Sequence, residues 1–283
     1  MLRGFFLLSV SSVLLLPRLG AQGSRPLELP ANAILVRPAP TAPMNDWKAD
    51  RGRVLASQEV DGATLRGWSY KAGREHAPRV LFFNGNGMTV DRSDWLYRQI
   101  AASGADVTVF DYRGIGFSGG TPDVMQFRKD ALAVYDQLAA KGPVVVFGFS
   151  LGTAMASYVA SQRTVEGLIL AGTIASAQEE LPVYSRAQGV DLDIAAAPDA
   201  IEAFDEVGMI THSHAPLLML HGEADRLVPI AQGREVFAAS PVKEKRFVGL
   251  PGVPHNATAG TPEALQAVGE FLGRLGAGGS GAG

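Results

Sequence analysis

The chain has 283 residues, 47% of them hydrophobic, which is enough to bury the core of one α/β domain without requiring a second. Its 25 basic and 28 acidic residues give a formal net charge of −3 without a basic cluster, which argues against nucleic acid as a partner. The absence of cysteine excludes disulfides, a thiolate nucleophile and cysteine-ligated zinc.

The first 21 residues have the composition of an export segment. Arg3 precedes a mostly apolar run of 13 residues, 4–16, and the small residues Gly20 and Ala21 follow near the expected cleavage point. Because this run is short for a bilayer span, we predict a signal peptide cleaved near Ala21, with an uncleaved signal-anchor as the alternative. The rest of the chain is expected to be exported, periplasmic or secreted, with any membrane association confined to this segment.

Residues 22–52 are rich in proline and are predicted to form a lead-in to a domain that covers residues 53–275. The domain begins with two predicted strands, 53–60 and 63–70. Asp61 and Gly62 join them, and this pair favours the positive φ angles of a two-residue hairpin turn. At the other end, residues 276–283 contain only glycine, alanine and serine and are expected to form a flexible tail.

From residue 79 onward, short apolar runs alternate with helical stretches. This alternation predicts an α/β fold with a mostly parallel sheet of eight strands, counting the hairpin, and helices on both faces. The further predicted strands are 79–83, 106–112, 144–149, 167–171, 216–221 and 245–248, and the predicted helices are 91–103, 124–140, 151–162, 230–239 and 263–275.

One connection is longer than a plain crossover between strands. Residues 173–214, approximately, contain a helical stretch at 201–207 and the helix breakers Pro182 and Pro198. We predict that this insertion forms a small cap over the carboxyl edge of the sheet, which is the edge where open α/β sheets bind ligands.

The pattern Gly-x-Ser-x-Gly occurs at residues 148–152, between a buried strand and an alanine-rich helix. A Cβ at Gly148 or Gly152 would collide across such a sharp turn. The context predicts a nucleophile elbow that exposes the Ser150 hydroxyl as nucleophile, with the Leu151 amide beside it. A second match centres on Ser118, but it follows a glycine-rich loop instead of a strand, so we interpret Ser118 as a loop residue.

A serine nucleophile needs a base, and the base needs an orienting carboxylate. Among five histidines, His255 lies in a turn-rich loop directly after the last predicted strand and is the predicted base. Asp225 lies in the loop after the preceding strand and is the predicted acid, with Glu223 as the alternative. His212 and His214 precede a strand at the wrong edge, and a metal site there would lack a third ligand.

Acyl transfer also requires donors for the oxyanion. The Leu151 amide is one candidate. We assign the second to the Asn86 amide, in the loop 84–88 after the first parallel strand, where two glycines allow close approach of the backbone. The alternative is that this loop is an ordinary glycine-rich turn between a strand and a helix.

These pieces together resemble the α/β-hydrolase superfamily, and within it the serine hydrolases similar to the serine-aminopeptidase group. The matching segments are 84–87, 111–120, 148–152, 221–229 and 254–256. The resemblance implies a triad of Ser150, Asp225 and His255, oxyanion donors at Asn86 and Leu151, and a structural loop at 111–120 that braces the oxyanion turn. One departure is Asn84, where such proteins usually carry histidine.

We therefore expect an exported serine hydrolase that cleaves a carboxylic ester or thioester of a small-molecule acyl substrate through an acyl-enzyme, with no metal or organic cofactor. The first alternative is a peptidase or acyltransferase that uses the same triad. The second is a non-catalytic binding protein with the same fold, for which a missing triad residue would be the signature.

Overall fold

The computed structural model describes residues 53–188 and 198–278. The predicted export segment, the lead-in, residues 189–197 of the predicted cap and residues 279–283 of the predicted tail lie outside the described residues. Within the described ranges, no helix is both long and apolar enough to cross a membrane.

The core of the fold is one eight-stranded sheet with the strand order β1-β2-β4-β3-β5-β6-β7-β8. The first three strands in this order pair antiparallel, and the other neighbours pair parallel, so the predicted mostly parallel sheet is confirmed. The strands are β1 Arg53–Val60, β2 Ala63–Tyr70, β3 Arg79–Phe83, β4 Asp106–Phe110, β5 Val144–Phe149, β6 Gly167–Ala171, β7 Leu217–Gly222 and β8 Lys245–Leu250.

Helices cover both faces of this sheet, as the alternating pattern predicts. They are α1 Asp94–Ala102, α2 Val124–Ala139, α3 Leu151–Gln162, α4 Ala177–Gln188, α5 Pro198–Ala203, α6 Glu206–Ile210, α7 Ile230–Ala239 and α8 Pro262–Gly278. One buried cluster packs α2 and α3 against one face, and a second packs α1 and α8 against the other. α8 ends three residues beyond the predicted helix, at Gly278.

The insertion between β6 and β7 contains α4, α5 and α6, and α6 packs on α3 and α7. The sequence predicts one helical stretch at 201–207, whereas the structure divides it into the end of α5 and the start of α6. The cause of the division is Asp205, whose carboxylate accepts a hydrogen bond from the Gly208 amide at 2.9 Å and caps α6.

Candidate active site

Ser150 lies in a strained turn between β5 and α3, with φ 52° and ψ −123°. Positive φ is unfavourable for a residue with a side chain, so the surrounding packing must hold it. A Cβ on Gly148 would lie 2.3 Å from the carbonyl oxygen of Gly152, and one on Gly152 would lie 2.1 Å from the carbonyl oxygen of Phe83. The two flanking glycines are therefore required by space, as predicted from the sequence.

The structure brings Ser150, His255 and Asp225 together in one hydrogen-bonded row. The Ser150 Oγ lies 2.9 Å from the His255 Nε2, and the His255 Nδ1 lies 2.6 Å from the Asp225 Oδ2. Since the carboxylate accepts, Nδ1 carries the imidazole proton and leaves the lone pair of Nε2 free to accept from the serine hydroxyl. His255 and Asp225 are each 7% exposed, while Ser150 is half-buried.

The Asp225 carboxylate is held by its own loop. Its Oδ1 accepts hydrogen bonds from the amides of Leu227 and Val228 at 3.0 and 2.8 Å, which leaves Oδ2 for His255. Glu223, the alternative acid, is exposed and lies over the backbone of Gly249 in β8. The geometry therefore places the Asp225 carboxylate, and not that of Glu223, against the imidazole.

His221 contacts the loop that carries Asp225, a role that the sequence analysis missed. Its Nε2 donates to the Val228 carbonyl oxygen at 2.9 Å and lies 3.6 Å from the Asp225 Oδ2. The side chain is fully buried, and burial lowers the pKa of His221, which favours the neutral ring. The available signal was its position four residues before the acid at the end of a buried strand.

His255 begins a single 3-10 turn, His255–Ala257, after β8. Its ring packs on Phe149 with a centroid distance of 5.2 Å. On another side, a Cβ on Gly172 would lie 3.1 Å from the His255 Cε1, and Gly172 also has φ 63°. Glycine at this position therefore gives the imidazole room beside the end of β6.

His212 is one of the two histidines that lie shortly before β7 in the sequence. His212 is exposed, and its Nδ1 contacts Thr211 and the Gly208 carbonyl oxygen. Within residues 53–188 and 198–278, no group of three or more histidine, aspartate and glutamate side chains is placed to hold a metal ion.

The loop after β3 is anchored by Asn84, the residue that departs from the usual histidine. Its Oδ1 accepts from the Tyr97 hydroxyl at 2.6 Å, and its carbonyl oxygen accepts from the Tyr112 hydroxyl at 2.8 Å. Two residues later Asn86 is exposed, while Leu151 is the first residue of α3. The assignment of their amides as oxyanion donors stays a prediction.

Ser118 is part of the loop that supports β2 and β4. Its Oγ donates to the Asp111 carbonyl oxygen at 2.7 Å and accepts from the Arg66 amide at 2.9 Å. The Asp111 carboxylate in turn accepts from the amides of Val90 and Phe117 at 2.8 and 2.9 Å. The side chain of Ser118 is buried and already paired, which fits a structural residue.

We expect Ser118→Ala to retain kcat within about twofold, because the Ser118 hydroxyl is paired with the backbone of Arg66 and Asp111 and not with the imidazole. It should lower the free energy of unfolding by about 1–3 kcal/mol, since the buried Arg66 amide and Asp111 carbonyl lose a partner. Ester hydrolysis and denaturant unfolding measure the two effects. A loss of activity as large as that of Ser150→Ala would contradict the assignment of the nucleophile.

Comparisons with known proteins show what the chain is similar to. The sequence matches the family model described as serine aminopeptidase, S33, over residues 74–197. It is 31% identical over 223 residues to the lysophosphatidylserine lipase ABHD12 of Macaca fascicularis, which covers 69% of this chain and 56% of that protein. The chain thus spans just over half the length of that lipase. It is also 30% identical over 211 residues to the uncharacterized protein MT2364 of Mycobacterium tuberculosis, covering 72% and 73% of the two chains.

Among solved structures, the fold is similar to the Pyrococcus furiosus esterase Pf2001, with a TM-score of 0.66 and 19% identity. The match covers 85% of this chain and 97% of that one. At this identity the likeness concerns the fold alone, and it confirms the predicted hydrolase architecture.

Proposed function

The chain belongs to the α/β-hydrolase superfamily, and we propose that it is a serine hydrolase that cleaves a carboxylic ester or thioester. The observation that carries the proposal is the row from the Ser150 Oγ through the His255 imidazole to the Asp225 carboxylate, with distances of 2.9 and 2.6 Å. A serine hydroxyl is a weak nucleophile at neutral pH unless an adjacent base accepts its proton, and this row supplies that base.

In the proposed reaction, the Ser150 Oγ attacks the acyl carbon while the His255 Nε2 accepts the hydroxyl proton. The Asp225 carboxylate stabilises the imidazolium and keeps the imidazole in the required tautomer. The imidazolium then protonates the leaving alcohol or thiol, and an acyl-enzyme remains on Ser150. Water, activated by the same imidazole, attacks this ester, releases the acid and restores the free hydroxyl.

The negative charge that develops on the acyl oxygen needs fixed donors. The Leu151 amide at the start of α3 and the Asn86 amide in the loop after β3 are the proposed pair. Close packing of Gly152 against the Phe83 and Asn84 carbonyl oxygens supports this assignment, because it holds the elbow directly against the base of that loop.

The proposal is tested by labelling with a fluorophosphonate probe followed by peptide mapping. We expect one adduct, on Ser150, that is absent in Ser150→Ala and formed more slowly in His255→Ala. The matched control is Ser118→Ala, which should label at the wild-type rate. A folded protein that forms no adduct would contradict the hydrolase proposal and favour a binding protein with the same fold.

The preferred leaving group is then determined by comparing the rates of hydrolysis of an ester, a thioester and an amide with the same acyl chain. The name of the macaque relative makes a lysophospholipid ester a natural member of the panel. The family-model description supports one alternative, a peptidase that uses the same three residues. That alternative predicts faster cleavage of the amide than of the ester or the thioester.

We also propose that the protein is exported. The support is the sequence of residues 1–21 alone, with its single early cation and its apolar run. Fractionation of cells that express the full chain, with mass measurement of the amino terminus, tests both export and cleavage near Ala21. A cytoplasmic, uncleaved protein would contradict the proposal.

A further inference from the structure

Behind the nucleophile elbow lies a buried carboxyl group that the proposed mechanism does not use. Glu206 is the first residue of α6, and its side chain is 0% exposed between α6 and α3. Its Oε1 lies 2.6 Å from the Thr153 Oγ1, and its Oε2 lies 3.2 Å from the Ser157 Oγ. Within the described part of the chain, no lysine, arginine or histidine forms an ion pair with this carboxyl.

The same threonine hydroxyl also contacts the nucleophile. Thr153 Oγ1 lies 2.6 Å from the carbonyl oxygen of Ser150, which equals its distance to Glu206. A hydroxyl has one proton to donate, and a carbonyl oxygen can only accept. When Thr153 donates to Ser150, its short contact with Glu206 is a hydrogen bond only if the carboxyl donates, and this requires Glu206 to be protonated.

From this proton count we propose that Glu206 is a neutral, hydrogen-donating acid that positions the nucleophile through Thr153. The chain of donors runs from the Glu206 carboxyl to the Thr153 hydroxyl and on to the Ser150 carbonyl oxygen. This proposal rests on the proposed hydrolase function of Ser150. Glu206 is a positioning residue in this scheme, since it touches neither the substrate nor the reacting atoms.

The surroundings of Glu206 support the neutral form. Burial raises the pKa of Glu206 well above its ordinary value, and burial outweighs the hydrogen bonds that Thr153, Ser157 and the Ile174 amide could donate to the ionised form. The side chains that contact it from α3 are uncharged, and the segment after β6 contributes a backbone amide. A carboxylate buried here without a cation would be costly, whereas a carboxylic acid keeps its hydrogen bonds.

The consequence for catalysis follows from the strain at Ser150. Its φ of 52° is held by hydrogen bonds on both sides of the residue: its amide donates to Ala171, and its carbonyl accepts from the amide and hydroxyl of Thr153. The donor chain fixes the carbonyl side of this turn and joins it to α6, within the insertion between β6 and β7. Small displacements of a nucleophile reduce turnover strongly, so this anchoring should appear in kcat.

Two pairs of variants test the donor chain in the full-length protein. Thr153→Val removes the hydroxyl at nearly constant volume and should lower kcat about tenfold with KM within about twofold, while Thr153→Ser should rescue kcat. Glu206→Leu should likewise lower kcat about tenfold, while Glu206→Gln should stay within about twofold, because an amide N–H can donate to Thr153. The double variant Thr153→Val/Glu206→Leu should lose no more than Thr153→Val alone.

Ile210→Ala is the matched structural control. Ile210 is buried in the same short helix, and its side chain has no hydrogen-bonding group. This variant should lower the Tm as much as Glu206→Leu does but leave kcat within about twofold, because it removes packing and not the donor chain. If Glu206→Leu and Ile210→Ala change kcat equally, Glu206 has only a structural role and the positioning proposal is overturned.

A second measurement does not depend on enzymatic activity. An unfolded glutamate loses its proton near pH 4.3, and a raised pKa in the folded state means that the native protein holds one proton more above that pH. The stabilising contribution of Glu206 is therefore complete at low pH and decreases as the pH rises towards the folded-state pKa. The wild-type Tm should fall relative to that of Glu206→Gln between pH 5 and 9.

These two measurements separate the two proposals. Parallel Tm curves for the wild type and Glu206→Gln would show an ionised Glu206 and overturn the inference, whatever the activity. If the wild type neither hydrolyses esters nor reacts with the fluorophosphonate, the hydrolase proposal and the positioning role fail together, while a diverging pair of Tm curves still establishes the buried acid.

Discussion

Ser150→Ala is expected to reduce kcat for ester hydrolysis by about 10⁶-fold, the scale seen when the nucleophile of a serine triad is removed. Without the Oγ no acyl-enzyme can form, and the His255 Nε2 loses the hydroxyl that lies 2.9 Å away. The measurement is steady-state hydrolysis of the best ester of the panel, with fluorophosphonate labelling in parallel.

Stability should be almost unchanged in this variant. The hydrogen bond from the Ser150 amide to the Ala171 carbonyl oxygen and the bonds to the Ser150 carbonyl oxygen involve only the backbone of this residue. An unchanged Tm therefore shows that lost activity reflects chemistry and not unfolding.

His255→Ala should reduce kcat by a similar factor. The double variant Ser150→Ala/His255→Ala should lose no more kcat than either single variant, because the two residues act as a unit. If Ser150→Ala kept more than about 1% of the wild-type kcat, Ser150 would not be the nucleophile.

Most of the fold could be predicted from local sequence signals. The strand β5 consists of apolar residues without alternation, which is typical of a strand buried on both faces, and all six of its residues are buried. Asp61 and Gly62 supply the positive φ angles of the hairpin turn, 43° and 74°. The row of Ser150, Asp225 and His255 follows from the same kind of signal, because each lies just beyond the carboxyl end of a predicted strand.

The support of that row could not be predicted, because it depends on contacts between distant segments. Nothing in the short stretch around Glu206 indicates its partners, because its buried side chain contacts Thr153 and Ser157, about fifty residues earlier. His221 stands at the end of a predicted strand, and nothing local shows that its Nε2 reaches the Val228 carbonyl oxygen. The sequence therefore indicates the proposed catalytic side chains better than it indicates the residues that position them.

Asn84 is a second position where the contacts could not be predicted, although the sequence marks the residue itself as unusual. The departure from histidine indicates altered hydrogen bonding in the loop after β3, but it does not reveal the replacement partners. The structure supplies them as the hydroxyls of Tyr97 and Tyr112, which come from α1 and from the loop after β4. Two donors at 2.6 and 2.8 Å hold both the side chain and the backbone of this residue.

Asp225→Asn is expected to reduce kcat by about 10⁴-fold, as in other triads that lose the carboxylate charge at constant shape. The reason lies in the loop around Asp225. Oδ1 accepts from the amides of Leu227 and Val228, so an asparagine would keep its oxygen there and turn its NH₂ group towards His255. That group can only donate, so the His255 Nδ1 would have to accept, and the ring proton would move to Nε2. An Nε2 that carries the proton cannot remove one from Ser150.

The matched control is Glu223→Gln, which makes the same chemical change in the same loop. Because Glu223 is exposed over β8, its replacement should leave kcat within about twofold. The kinetics of both variants should be compared with the rate of fluorophosphonate labelling, which reports the activation of Ser150 without the deacylation step. A large loss in Glu223→Gln with little change in Asp225→Asn would transfer the role of the acid to Glu223. Equal and small losses in both would mean that the imidazole acts without an orienting carboxylate, which the 2.6 Å contact between the His255 Nδ1 and the Asp225 Oδ2 argues against.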